Sequence, residues 1–229
     1  MLSIRSLTSF SLQLGVELSL AMEPPAVEDA CYSLFAEFSK VATVSVSKPS
    51  CVRVIVYGPN FELRFFARHG AGEALVSINA FCEDSARARQ SISMLLDVYR
   101  RFFRVCRGYV TSITSSRAFV KVVTTMPKDE VSKSIKVLSE DFGASLRVVE
   151  FRDLDDSSIR VFTGFIPVSG GLKGVFSRIV VVERRGLYAT LSITLETQVN
   201  GDDPRDVEDK VYGLVGLARA LMDLVALPH

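Results

Sequence analysis

The chain has 229 residues, 48% of them hydrophobic, with 27 basic against 26 acidic side chains and a formal net charge of +1. So close a balance supplies no global field for nucleic acid or a membrane surface, so either partner needs a local patch. Mean hydropathy of +0.27 promises a large core, yet no segment reads as a secretory signal or a membrane span. The most apolar one, Val211 to Leu227, carries Arg219 and Asp223 and is too short. A cytoplasmic protein without membrane contact is the expectation.

In chain order, Leu12–Met22 reads as a strand, and Pro24-Pro25 opens a helix where proline costs least. Val27, Ala30, Cys31, Leu34, Phe35 and Phe38 recur at helical spacing as one apolar stripe. Four strands follow at Ala42–Ser47, Cys51–Tyr57, Phe61–Arg68 and Ala74–Phe81, parted by turn residues such as Gly58-Pro59-Asn60. A long helix runs from Ser85 to Arg104, with Ile92, Leu95, Tyr99 and Phe102 on its inner face. The order then repeats: strand Phe119–Thr125, helix Lys128–Phe142, strands Ser145–Phe151, Ser158–Phe165, Val175–Glu183 and Tyr188–Val199, and a final helix Pro204–Val225.

The repeat is also written in the residues. At a constant shift of 104 positions Met22 falls on Met126, Val27 on Val131, Leu34 on Leu138, Phe38 on Phe142 and Val44 on Val148. A period of about half the chain means two copies of one small unit, residues 1–107 and 108–229. Hairpin-linked strands make antiparallel sheet, and helices with one apolar stripe each must cover a single face. The expected fold is α+β: two pseudo-symmetric strand-helix-four strands-helix repeats forming one curved antiparallel sheet backed by helices.

The other face of that sheet is then open, and it is the expected place of function. Strand alternation assigns to it Arg53, Tyr57, Arg64, Phe66 and Arg68 from the first copy, and Arg147, Phe151, Arg160, Phe162 and Arg178 from the second. Arginines among aromatics grip phosphates and stack on bases. The same residue types also serve a protein contact or plain solvated sheet, where arginine stems shield apolar surface.

Other clusters have plainer readings beside the chemical one. Arg89, Arg100, Arg104 and Arg107 flank the long helix as a basic patch or as a solvated face. In the glycine-rich run Ser169–Gly174, Gly171 to Gly174 spells the GxxG of the KH nucleic-acid clamp, but between strands rather than helices. Asp153, Asp155 and Asp156, like Asp202 and Asp203, can bind a cation or simply make turns and caps. The only histidines are His69 and His229, so no Ser/His or Cys/His mechanism has its base. Cys31, Cys51, Cys82 and Cys106 lack metal-ligand spacing; free buried thiols are expected, with a Cys51–Cys82 disulfide the alternative.

The tandem strand–helix–four strands–helix order resembles the two direct repeats of the TATA-box-binding protein. That resemblance spans the chain as topology, implies a sheet face that meets DNA, and carries over no individual residue. Locally, Ala74 to Phe102, with Asp84 near the helix start and Arg87 or Arg89 in its first turns, is similar to the last strand and helix of the small dimeric scaffold subunit of the KEOPS complex. This implies a non-enzymatic adaptor. The function expected is a non-catalytic, archaeal-type binding or scaffold module without cofactor or metal, monomeric or homodimeric. Its open sheet would meet nucleic acid or a protein of the information-processing machinery. The alternative is a carrier, or a helix-grip-like enzyme, holding an apolar small molecule between the sheet and the long helices.

Overall fold

The structure is a computed structural model that describes residues 9–47, 51–68, 72–83, 87–141, 147–152, 158–166, 174–183 and 186–226. The first half runs β1 (Ser9–Met22), α1 (Pro24–Phe38), β2 (Thr43–Ser47), β3 (Cys51–Tyr57), β4 (Phe61–Arg68), β5 (Glu73–Cys82) and α2 (Ala88–Cys106). The second runs β6 (Val110–Pro127), α3 (Lys128–Asp141), β7 (Arg147–Arg152), β8 (Ser158–Ile166), β9 (Val175–Glu183), β10 (Tyr188–Gln198) and α4 (Pro204–Ala226). Both halves therefore follow the expected order, and the class is α+β.

All ten strands join one antiparallel sheet in the order β2-β3-β4-β5-β1-β6-β10-β9-β8-β7. That order reads alike from both ends, so the halves meet at the β1–β6 seam. There Gly15 pairs with Phe119. The two are separated by the same 104 positions that relate Met22 to Met126. A local two-fold axis therefore runs through this one pair. A Cβ built on Gly15 would lie 2.2 Å from Phe119 Cζ, so the ring occupies the space that any larger residue at 15 would need.

Strand alternation splits each strand between two environments. Even-numbered residues of β1, from Leu12 to Met22, are buried, together with Val54, Val56, Leu63, Phe65, Val76 and Ile78 on their side of the sheet. Val120 and Val122 on β6 and Leu191, Ile193 and Leu195 on β10 continue the layer. Against it lie Val27, Ala30, Leu34 and Phe38 of α1, Leu95, Tyr99 and Phe102 of α2, and Val207, Val211 and Leu214 of α4. Phe35, expected in the α1 stripe, instead stands 45% exposed. Among the described residues, no helix is long and apolar enough to cross a membrane.

Side chains also tie the halves together across the helix layer. The Tyr99 hydroxyl of α2 donates to the carbonyl of Gly201, in the turn before α4. Arg100 reaches Glu208 of α4 at 2.8 Å, while within the first half Arg104 reaches Glu37 of α1 at 2.7 Å. The basic flank of α2 is thus in good part ion-paired. Asp203 accepts from the backbone N–H of Arg205 at 2.9 Å, a helix-capping contact rather than a cation site. The clusters at 153–156 and 169–173, with both histidines, lie outside the described residues.

The Cys51–Cys82 pairing does not occur, since Cys82 is free. Cys51 pairs Arg68 on β4, whose neighbour Ala67 pairs Ala74 on β5. Cys82 lies eight residues farther along β5. At strand rise that is roughly 25 Å, far beyond disulfide reach.

Candidate functional site on the open sheet face

The odd-numbered residues of β1 and their ladder partners form the face that, among the described residues, no helix covers. Arg53, Tyr57, Arg64 and Phe66 share it, all exposed. Arg178 is exposed there too, through its pairing with Thr194. Arg68, Arg147 and Phe151 hold positions of the same register, their side chains lying outside the described residues.

Two expected members belong to the opposite side. Arg160 pairs Val181 and Phe162, whose side chain lies outside the described residues, pairs Ile179, both register positions of the helix-covered face. The Arg160 guanidinium ion-pairs with Glu183 there, at the sheet margin. The parity was misassigned because the order of faces cannot be carried from strand to strand through turns of unknown pairing. β8 presents Ile159, Val161 and Thr163 to the open side instead.

Around Arg64 and Phe66 the face forms a groove of about 430 Å³, lined by Glu17, Leu18, Ser19, Arg64, Phe66, Leu75, Val76, Ser77, Ser115 and Arg117. Phe66 and Leu75, 43% and 58% exposed, give it apolar walls. Hydroxyls of Ser19, Ser77 and Ser115 lie among them. Ser77 is fixed by Asn79, whose Nδ2 donates to Ser77 Oγ at 3.0 Å while its Oδ1 accepts from Gln13 Nε2 at 3.1 Å.

Both groove arginines are committed to carboxylates. Arg64 Nε binds Glu62 at 2.9 Å, and this bond lifts the guanidinium pKa further above its ordinary value. Arg117 binds Glu17 at 2.6 Å and Glu196 at 3.2 Å, with the same upward effect led by Glu17. Over the described open face, Arg53, Arg64, Arg117, Lys121 and Arg178 stand against Glu17, Glu62, Glu73 and Glu196. A phosphate backbone needs many uncompensated cations in a track. This face does not provide one, so the nucleic-acid reading finds no support.

Sequence reasoning missed Glu17, Ser19, Leu75, Ser115 and Arg117. The last two lie in the first part of β6, which begins at Val110 rather than Phe119. The run Thr111 to Ser116 is rich in hydroxyls and gives little apolar alternation. Its partner in β1 is about a hundred residues away, and the Glu17–Arg117 pair exists only once those strands meet.

No family model matches the chain, and no curated protein matches it. Among solved structures it is similar to the di-domain ARO/CYC StfQ from the steffimycin biosynthetic pathway, at 10% identity and a TM-score of 0.27 over 93% of this chain and 96% of that one. It is similar also to the di-domain ARO/CYC BexL from the BE-7585A pathway, at 9% identity and a TM-score of 0.28 over 93% and 97%. A third is DynU16 of the dynemicin biosynthetic locus, at 12% identity and a TM-score of 0.25 over 93% and 99%. The expected resemblances to the TATA-box-binding protein and to the KEOPS subunit find no match. The expectation of a protein that is not an enzyme meets neighbours that speak against it, two of them being named as ARO/CYC proteins of biosynthetic pathways, although a likeness this slight assigns no activity to this chain.

Proposed function

We propose that the protein binds a small, largely apolar, uncharged molecule in the groove between Arg64, Phe66, Leu75 and Arg117. It would act as a carrier or as an enzyme of helix-grip type. The supporting observation is the groove itself: about 430 Å³ is within the ordinary size of a small-molecule site. Its apolar walls offer dispersion and burial, its serine hydroxyls offer orientation, and its arginines are already neutralised by Glu62, Glu17 and Glu196. A hydroxylated aromatic compound fits that chemistry better than an anion. The seat differs from the one expected between sheet and helices, where Tyr99, Phe102, Phe38 and Phe65 fill the space. The reading rests on the groove and not on the structural neighbours, whose likeness is too slight to carry it.

The test is a fluorescence titration with a neutral apolar dye, 1-aminoanthracene. Saturable binding to the wild type is expected, weakened about tenfold by Leu75→Asp, since a half-buried leucine contributes roughly 1–1.5 kcal/mol and the charge must be desolvated. Equal binding to wild type, Leu75→Asp and Phe66→Asp would remove the groove as the seat.

A further inference from the structure

The ladders relate the two halves row by row about the Gly15–Phe119 pair. In the first half Glu17 pairs Ser77, which pairs Arg64. In the second, Lys121 pairs Thr194, which pairs Arg178. Each half thus sets an arginine beside a hydroxyl at the same distance from the seam. What flanks them is reversed: Glu17 is replaced by Lys121, and Glu62, two residues before Arg64, is replaced by Phe176, two before Arg178.

From this juxtaposition we infer that Lys121, Thr194 and Arg178 form an anion-binding site, taking a carboxylate, sulfonate or phosphate carried on a small apolar body. Adjacent strands lie about 4.8 Å apart, so the lysine and arginine backbones are about 10 Å apart with the threonine between them. Both long side chains can reach one anion above that hydroxyl, and charge-assisted bonds are the strong ones. Among the described residues neither cation has a carboxylate partner. The nearest carboxylate on β10, Glu196, is bound by Arg117. Thr163, paired with Arg178, adds a second hydroxyl to the row. Phe176 and Val180 flank Arg178 on β9, both partly exposed, and offer the apolar body its contact. Three residues can hold one anionic group but not a nucleic-acid backbone. The site is separate from the groove and stands whether or not the groove binds a neutral ligand.

The probe is 8-anilinonaphthalene-1-sulfonate, an aromatic anion, titrated by fluorescence at low salt with inorganic phosphate as competitor. One saturable site, displaced by phosphate, is expected. Lys121→Gln with Arg178→Gln should weaken it about tenfold or more, and Thr194→Val about threefold, as lost charge-assisted and neutral hydrogen bonds imply. Arg53→Gln, on the same face but outside this row, should leave it unchanged, and circular dichroism verifies that each variant is folded. Binding unaltered in the double variant overturns the site. So does an equal loss in Arg53→Gln, which would mean bulk charge alone. Displacement by a short oligonucleotide well below the phosphate concentration, with a steep salt dependence, would overturn it in favour of a polyanion track.

Discussion

The two halves share one backbone plan and diverge at the side chains that face away from the helices. Near the seam the first half reads acid, hydroxyl, base in Glu17, Ser77 and Arg64, and Glu62 silences the arginine. The second reads base, hydroxyl, base in Lys121, Thr194 and Arg178, with a phenylalanine at the silencing position. The helix-covered face is held to a common pattern because every apolar side chain there removes area from water. The open face carries no such obligation, so two halves of one backbone plan can turn equivalent places to different chemistry without altering a single ladder. Function in a protein of this kind is to be sought in the differences between the halves, and the fold in their likenesses.

The place where the halves cannot differ freely is the axis itself, and it gives the largest expected effect. Phe119 lies over Gly15, so a methyl group at 15 would stand 2.2 Å from the ring and 2.8 Å from Asn79 Oδ1. Gly15→Ala should destabilise by about 1–3 kcal/mol through overpacking at the centre of the sheet. Urea denaturation measures it. Adding Phe119→Leu should recover a substantial part, since residues in contact are not additive. Strictly additive losses would mean that crowding at the axis is not the cause.

A second difference lies in the helix layer. Cys31 and Cys106 are buried where α1 meets α2; the shift of 104 puts Ile135 at the position of Cys31, and the buried spacing of α4 puts Met222 at that of Cys106. Burial, assisted by nearby Cys31, pushes the Cys106 thiol from 9.0 up to about 12. Above pH 9 the unfolded chain loses a proton that the folded chain keeps. The stabilising contribution is therefore complete below about pH 9 and is lost as pH rises towards 12. At pH 10 the loss is about 1 kcal/mol. Tyr99, whose hydroxyl burial also raises, acts in the same direction starting from 10.0. Cys106→Ala should flatten the fall in urea midpoint between pH 8 and 10, whereas Met222→Ala should leave its slope alone. An unchanged slope in Cys106→Ala would assign the alkaline sensitivity elsewhere.

How far these features can be read in the chain itself depends on the distance over which each is encoded. β3 and β4 are legible to the residue, because the β-rich runs Cys51–Tyr57 and Phe61–Arg68 are parted cleanly by Gly58-Pro59-Asn60. α2 is legible from its stripe, which ends in the buried Cys106. The first nine residues of β6 are not, since their strand character comes from pairing with β1 rather than from their own pattern. The face of Arg160 was illegible for a related reason: parity is a property of the ladder and not of a strand alone. The groove combines β4, β5, β1 and β6, and its Arg117–Glu17 bond spans a hundred positions, so no local window contains it.

The smallest expected change in stability accompanies the sharpest test of the comparison. Glu17→Lys with Glu62→Gln gives the first half the charge order of the second: a lysine, then Ser77, then an arginine without its carboxylate. Arg117 keeps Glu196, at 3.2 Å, and Glu17 belongs to an ion pair with both partners more than a third exposed. Losing such a pair typically costs less than about 1 kcal/mol, and the new lysine, set opposite Arg117 where Lys121 faces Gln13, adds a solvent-screened repulsion on the order of a few tenths of a kcal/mol. The anionic dye should then bind at two sites rather than one, and inorganic phosphate should displace both. A stoichiometry that stays at one would mean that the order of charges along the row is insufficient, and that the apolar flank of Phe176 and Val180 contributes what the first half, with Glu62 and Phe66 in those places, lacks.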